Sequence, residues 1–343
     1  MTPGSTLKKL RAQAEMTQAD LAQKAGVSRA LVSAIEAGRH LPRVDAALAL
    51  ARALGISSEF LFGTEAGPPV DALSGLPAAD GTALRIAYVG DQPVTAPPQH
   101  GEMGWQAVHW TSGQADRSFT AHRMPALVIA GCEPALPLVE RLLARPDLRT
   151  LAIQATTDQA LQALEAGRVH VAAVHFRESD PPPREMALVT KIRLGRWRVG
   201  LAAQGRRRDR WWEPVLAGQA KVIQREPGAS AQKTFERARR SFMHSPLSPT
   251  SSSLEGPRVM SHLAASRGCI ASELAAVTIE PAARAVGADF HALETHAVEF
   301  WIREENLDQT TIARLIDLLR SLQFQRTLES VGGYQLDGLG SLI

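Results

Sequence analysis

Residues 17–38, TQADLAQKAGVSRALVSAIEAG, read as two short helices joined by a tight turn. Thr17 is a helix N-cap, and Asp20, three places on, is the acidic partner of a capping box. Leu21, Ala22 and Ala25 recur at helical spacing, and Gly26 stands where a left-handed residue ends a helix. Val27 enters the turn. Ser28 then caps a second helix whose Val32 and Ile35 face inward, and Gly38 stops it. Two short helices about a glycine-containing turn can set the second one into a DNA major groove.

Gln18, Leu21–Ala22, the AGVS of Ala25–Ser28, Val32–Ser33, and Ile35–Glu36 followed by Gly38 resemble the phage-repressor-like, xenobiotic-response-element class of helix–turn–helix. The resemblance runs from about Leu7 to Gly63 and implies an all-α DNA-binding domain over residues 1–64. In such a module Ser28, Arg29, Ala30 and Ser33 at the exposed start of the second helix, with Gln18 at the start of the first, face base edges and flanking phosphates. Arg29 suits a guanine, because a guanidinium pairs with O6 and N7 together. Arg39 and Arg43 lie beyond that helix and suit phosphate, which positions without specifying.

Charge agrees. The 343 residues carry a formal net charge of +3. Residues 1–64 hold eight Lys/Arg and five acids, and the remaining 279 residues are balanced at 30 of each. The excess positive charge thus lies where DNA contact needs it. Two cysteines, Cys132 and Cys269, make neither a disulfide framework nor a Cys-x-x-Cys zinc pair, which fits a reduced cytoplasmic setting. No apolar leader or membrane span is evident.

A first helix is expected over 5–15, with Leu7 and Leu10 inside and Lys8, Lys9 and Arg11 outside. Pro42 breaks the chain, Val44–Leu54 is amphipathic, and a closing helix is expected over 57–63. Residues 65–123 read as a linker and a small β element, with strands at 84–89, 106–110 and 118–123. From Met124 strands alternate with helices: ALVIAG (126–131), PALPLVERLLAR, LRTLAIQAT (148–156), TDQALQALEAG, RVHVAAVHF (168–176). That alternation implies parallel βαβ units. Residues 186–205 are extended, 221–242 are strand, turn and helix, 243–255 a Ser/Pro-rich loop, and 257–267 a helix. A strand at 274–280 and a helix follow, then an extended 290–302 and an amphipathic helix over 307–330, interrupted near Ser321.

That order, with LVIAGCEPAL, LEAGRVHVAAVH, QREPGAS, TIEPAARAVGADF and the tail GGYQLDGLGS, resembles a two-lobed periplasmic-binding-protein-like domain of the second type. It is similar in particular to cytosolic relatives of molybdate-binding proteins fused behind repressor-type modules. The resemblance implies an α/β domain over 124–343, with one lobe at about 124–195 and 295–343 and the other at about 196–292. Two long strands, about 188–200 and 290–302, would cross between them.

Open α/β sheets bind ligands at the carboxyl ends of their strands, near helix N-termini. Four such ends can be found, and the resemblance implies that they meet in one cleft: Cys132 and Glu133 after the first strand, Thr156 and Thr157 after the second, His175 on the third, and Arg225, Gly228 and Ser230 in the second lobe. Arg225 would anchor a carboxylate or oxyanion. Glu133 would repel an oxyanion, and Ala229 and Ala231 replace expected hydroxyls, so a small organic acid or other metabolite is as consistent. An alternative joins Cys132, His175 and His296 as a soft-metal sensor, and another makes the C-terminal domain a dimerisation platform. Arg206–Trp212, RRRDRWW, is a basic turn or a second backbone contact.

No P-loop, nucleophile elbow or HExxH occurs, so no catalytic residue and no cofactor is assigned. The sequence therefore reads as a transcriptional regulator, with an operator DNA, a small-molecule effector and a second copy of itself as partners.

Overall fold

Caps fix where the first helices begin and end. In a computed structural model, which describes residues 3–14, 16–56, 58, 61, 69–79, 81–98, 108–110, 125–205, 210–243 and 255–343, helix α1 spans Pro3–Gln13, α2 Gln18–Ala25, α3 Arg29–Glu36 and α4 Val44–Leu54. The Thr17 hydroxyl accepts the Asp20 N–H, while the Asp20 carboxylate accepts the Thr17 N–H at 2.8 Å. Gly26 closes α2 at φ 68°, where a side chain would be strained. Ser28 Oγ accepts the Leu31 N–H at 3.1 Å and starts α3. Leu7, Leu21, Val32, Ile35, Leu50 and Leu61 pack together as this module's core. Helix α1 starts two residues before the expected 5, since Pro3 takes a first helical position where a missing N–H costs nothing. Of the closing helix expected over 57–63, Leu61 is buried; Ser57, Glu59, Phe60, Phe62 and Gly63 lie outside the described residues.

The chain divides into two units, one drawn from residues 1–124 and one from 125–343 together with 70–76 and 87–90. After α4 in the chain come the strands β1 (Val70–Asp71), β2 (Thr82–Val89), β3 (Gln92–Ala96) and β4 (Val108–Trp110). Strand β2 pairs antiparallel with β4, Thr82 opposite Trp110. The sequence reading missed β3, because Pro93 argues against a strand interior. The strand expected at 118–123 lies outside the described residues.

The second unit is built on one nine-stranded sheet of order β10-β9-β11-β8-β12-β7-β5-β6, with β13 on β8. In chain order its elements are β5 (Ala126–Gly131), α5 (Leu136–Leu143), β6 (Arg149–Gln154), α6 (Thr157–Glu165), β7 (Val171–Arg177), β8 (Val189–Ala203), α7 (Glu213–Leu216), β9 (Val222–Arg225) and α8 (Ser230–Met243). Then come β10 (Arg258–Val259), α9 (His262–Ser272), β11 (Ala275–Ile279), α10 (Glu280–Ala285), β12 (Asp289–Arg303), α11 (Thr310–Leu319), α12 (Leu322–Val331) and β13 (Tyr334–Gln335).

Strands β8 and β12, 15 residues each, run antiparallel along their whole length, from Val189 opposite Arg303 to Ala203 opposite Asp289. At one end β12 takes on β7, followed by the parallel β5 and β6. At the other end β8 takes on β11, followed by the parallel β9 and β10. Two parallel groups hung on two shared long strands are the two-lobed architecture that the chain's element order implies. One apolar core runs through both, from Leu127, Leu136 and Phe324 to Leu201, Phe235 and Val277. Gly200 and Gly131 permit the close strand approach: a Cβ on the first would run into the His291 carbonyl of β12, and on the second into the Ala173 carbonyl of β7.

Here one boundary differs from expectation, and one expected interruption is present. The helix expected over 257–267 is the short strand β10 followed by α9. It starts at His262 because Ser261 caps it, accepting the Ala264 N–H at 3.0 Å. The helix over 307–330 is two helices, α12 being capped by Ser321 through the Phe324 N–H. No helix among the described residues is long and apolar enough to cross a membrane.

Candidate functional site

The residues singled out by the sequence fall into two groups, each within one unit. In the first, the capped start of α3 leaves Ser28, Arg29 and Ala30 exposed, with Ser33 one turn on and half-buried. Arg39 and Arg43 are exposed beyond it, and Arg43 occupies the N-cap position of α4. Gln18 and Arg29 line one surface hollow of about 430 Å³, together with Arg11, Met16, Thr17 and Ala19.

Arg11 was expected to face solvent. Instead its Nε and Nη2 hold the Glu36 carboxylate at 2.6 and 3.2 Å, and its Nη1 donates to the Met16 carbonyl at 2.7 Å. The Gln18 amide also donates to Glu36, at 2.8 Å. Glu36 on α3 thereby ties α1 and α2 to the exposed helix and fixes the Gln18 side chain.

The second group lies where the two lobes of the sheet meet. Thr157, first residue of α6 after β6, donates from Oγ1 to the His175 carbonyl at 3.3 Å, and Ser230 at the start of α8 donates to the same oxygen at 3.3 Å. Cys132 and Glu133 follow β5, and Arg225 ends β9. These three and Thr157 are buried with His175. The Arg225 Nη2 donates to Cys132 Sγ at 3.5 Å. The four strand ends expected to converge do converge. Two of the expected residues contribute backbone geometry: Thr156 is the N-cap of α6, with Gln159 completing its capping box, and Gly228 is an exposed turn residue at φ 86°.

Arg225, expected as a ligand anchor, also has structural partners. Nε and Nη2 hold Glu226 at 3.0 and 2.9 Å, Nη2 and Nε reach the Met260 and Val259 carbonyls, and Nη1 donates to His262 Nδ1 at 2.7 Å. His262 opens α9, and a single histidine at a helix start carries no signal in the sequence that marks it as part of a site. It is fully buried, and among the described residues its Nε2 has no hydrogen-bond partner. Trp197 on β8 is likewise buried with its Nε1 unpartnered, in edge-on contact with the rings of His175, His262 and Tyr334.

Glu133 was expected to stand as a charge. Burial pushes its carboxyl up to about 7, against the hydrogen bonds it accepts from the Tyr334 hydroxyl and the Ala135 N–H, both at 2.7 Å. Both bonds fall on Oε1, and among the described residues the buried Oε2 has no partner. Near neutrality the carboxyl is therefore partly protonated, and the electrostatic objection to an anion weakens.

His296 does not join Cys132 and His175 in the way the soft-metal alternative assumed. On β12, opposite both Arg177 and Trp197, it stands behind His175, with the two Nδ1 atoms 3.0 Å apart. The residue that groups with Cys132 and His175 is His262. Of the run Arg206–Trp212, residues 206–209 lie outside the described set. Arg210 is ion-paired with Glu213, and Trp212 stacks on His291 with centroids 3.7 Å apart.

Residues 7–61 match the family described as Helix-turn-helix, and residues 140–320 the PBP superfamily domain. An uncharacterized HTH-type transcriptional regulator of Methanocaldococcus jannaschii is 43% identical over 56 residues, 16% of this chain and 85% of that protein. The immunity repressor protein of Bacillus phage phi105 is 38% identical over 65 residues, 19% of this chain; the chain spans 45% of that repressor's length. Among solved structures, an ABC-type phosphate transport receptor from Vibrio cholerae is similar over 61% of this chain and 99% of its own, at 11% identity and a TM-score of 0.41.

Proposed function

We propose, for a chain that belongs to the helix–turn–helix transcriptional regulators and carries a PBP superfamily domain behind that module, a sequence-specific DNA-binding regulator whose second domain senses a small anionic or polar ligand. The observation that carries the reading is the first turn of α3: a capped helix, locked to its neighbours through Glu36, that leaves Ser28, Arg29 and Ala30 exposed beside Arg39 and Arg43. Arg29 reads a base, Ser28, Ala30, Ser33 and Gln18 complete the contact, and Arg39 and Arg43 take phosphates. The protein acts in the cytoplasm as a homodimer on a two-fold operator, because one such module buries too little surface for tight specific binding. It carries out no catalytic step.

The ligand site is the interlobe cluster. Arg225 anchors the ligand, Thr157, Ser230 and His175 form the polar ring, and Glu133 sets the charge. A ligand that favours one lobe arrangement need supply only about 1–3 kcal/mol of coupling to alter operator binding. The test is a DNA-binding titration of wild type and Arg225→Ala, with and without small molecules identified by native mass spectrometry of the purified protein. Loss of the response with retained operator binding is expected. A mutant that responds at the same concentration removes Arg225 as the anchor. A melting temperature that no candidate moves would leave the second domain as a dimerisation platform.

A further inference from the structure

Around His175 the hydrogen bonds dictate which nitrogens carry protons. Burial alone would raise the Glu294 carboxyl, but hydrogen bonds from His296, Arg237 and Thr234 hold it well below the usual carboxylate range. Glu294 is thus an ionised acceptor, held by Arg237 and by the Thr234 hydroxyl at 2.8 Å. The nitrogen of His296 that faces it at 3.3 Å, Nε2, must carry a proton. At 3.0 Å the two Nδ1 atoms share a single proton, one donating and the other accepting. A neutral His296 with its proton on Nε2 presents a bare Nδ1, so His175 donates to it from Nδ1. The remaining nitrogen of His175, Nε2, therefore bears a free lone pair. A metal-ligating imidazole ordinarily donates its other ring N–H to a fixed acceptor; here that acceptor is His296 Nδ1, itself held by Glu294.

In front of His175 stand Cys132 and His262. One ligand atom from each of the three residues falls within 4.8 Å of the others, and all three residues are buried. Ligand atoms sharing one tetrahedral ion lie about 3.5 Å apart, given bonds of about 2.3 Å to sulfur and about 2.0 Å to nitrogen. An inward side-chain shift of about 1 Å closes the set. The lone pairs of Cys132 and His262 are met by one group, the Arg225 guanidinium, at 3.5 and 2.7 Å. Those bonds are exchangeable, because Arg225 keeps Glu226 and two backbone carbonyls without them.

We propose that Cys132, His175 and His262 form a binding site for a thiophilic metal ion of the zinc type, with His296 and Glu294 positioning His175. One thiolate and two imidazoles suit zinc(II) rather than a hard cation. Glu226 already balances Arg225, so the ion and the thiolate bring a net single positive charge beside Glu133. Binding displaces the thiol proton of Cys132 and the guanidinium contacts to Cys132 and His262. This assignment is independent of the DNA-binding reading.

The test is a titration of the purified full-length protein with zinc(II) against a colorimetric chelator, and with cobalt(II) followed by absorption. One zinc(II) per chain is expected, and cobalt(II) should give a sulfur-to-metal charge-transfer band. Cys132→Ser and His262→Ala should abolish both, and Cys269→Ser should change neither. His296→Ala should weaken zinc(II) by about 10–100-fold, and Arg225→Met should tighten it. If wild type shows no charge-transfer band, the site is refuted whether or not the variants fold. Zinc(II) bound equally by wild type, Cys132→Ser and His262→Ala refutes it too, since the ion is then held elsewhere.

Discussion

Replacing Glu133 by glutamine should flatten part of the pH dependence of the second domain's stability. The carboxyl has an ordinary value of 4.5 and is pushed by burial to about 7. The folded state therefore binds this proton more tightly than the unfolded chain does. Stability from that proton is fully present below pH 4.5 and is lost as pH rises through about 7. Integrating the linkage between about pH 5 and pH 8 gives a loss of about 2.5 kcal/mol. A glutamine side chain mimics the protonated acid: its amide oxygen can still accept from Tyr334 and Ala135, and it cannot ionise. Urea unfolding of both proteins at about pH 5 and pH 8, following the transition of the second domain, reads the effect. Wild type should lose about 2.5 kcal/mol more than Glu133→Gln over that range, since every other titrating group is common to both. Equal losses in the two proteins would mean that Glu133 is ionised throughout, with water or a moved side chain reaching Oε2.

Other outcomes can be checked directly. Arg29→Ala should cost about 1–3 kcal/mol on the specific operator and little on random DNA, measured by fluorescence anisotropy; equal losses on both would make Arg29 a phosphate contact. Glu36→Ala leaves Arg11 and the Gln18 amide without their shared partner and should destabilise the first unit by about 3 kcal/mol, seen as a lower melting temperature. Gly200→Ala forces β8 away from the His291 carbonyl and should cost about 1–3 kcal/mol in the second unit; an unchanged denaturation midpoint would show that the strands can part freely. A footprint over both halves of an imperfect palindrome is expected from a dimer, and protection of a single half-site by a monomer would exclude it.

Local chemistry determined a good deal of this protein by sequence alone. The capping box at Thr17 and Asp20, the left-handed Gly26 and the cap at Ser28 are interactions within four residues, so they specify α2, the turn and α3 wherever the chain goes. The alternation of apolar strands with amphipathic helices, and two extended runs near 190 and 295, specified the parallel groups and the strands that join them. The four strand ends at Cys132, Thr157, His175 and Arg225 could be named from the strand pattern, and their meeting was implied by the family resemblance. What sequence could not decide was which side chains touch. The choice of His262 over His296 beside Cys132 depends on a two-residue strand and a cap at Ser261 that place α9, and on the pairing of β12 with both β7 and β8, which puts His296 behind His175. Arg11 and Gln18 were likewise read as surface groups until Glu36, 25 and 18 residues away, drew them in. Burial reinforces such contacts: a polar atom removed from water costs free energy unless it finds a partner across the fold, and periodicity along the chain carries no record of which one it finds.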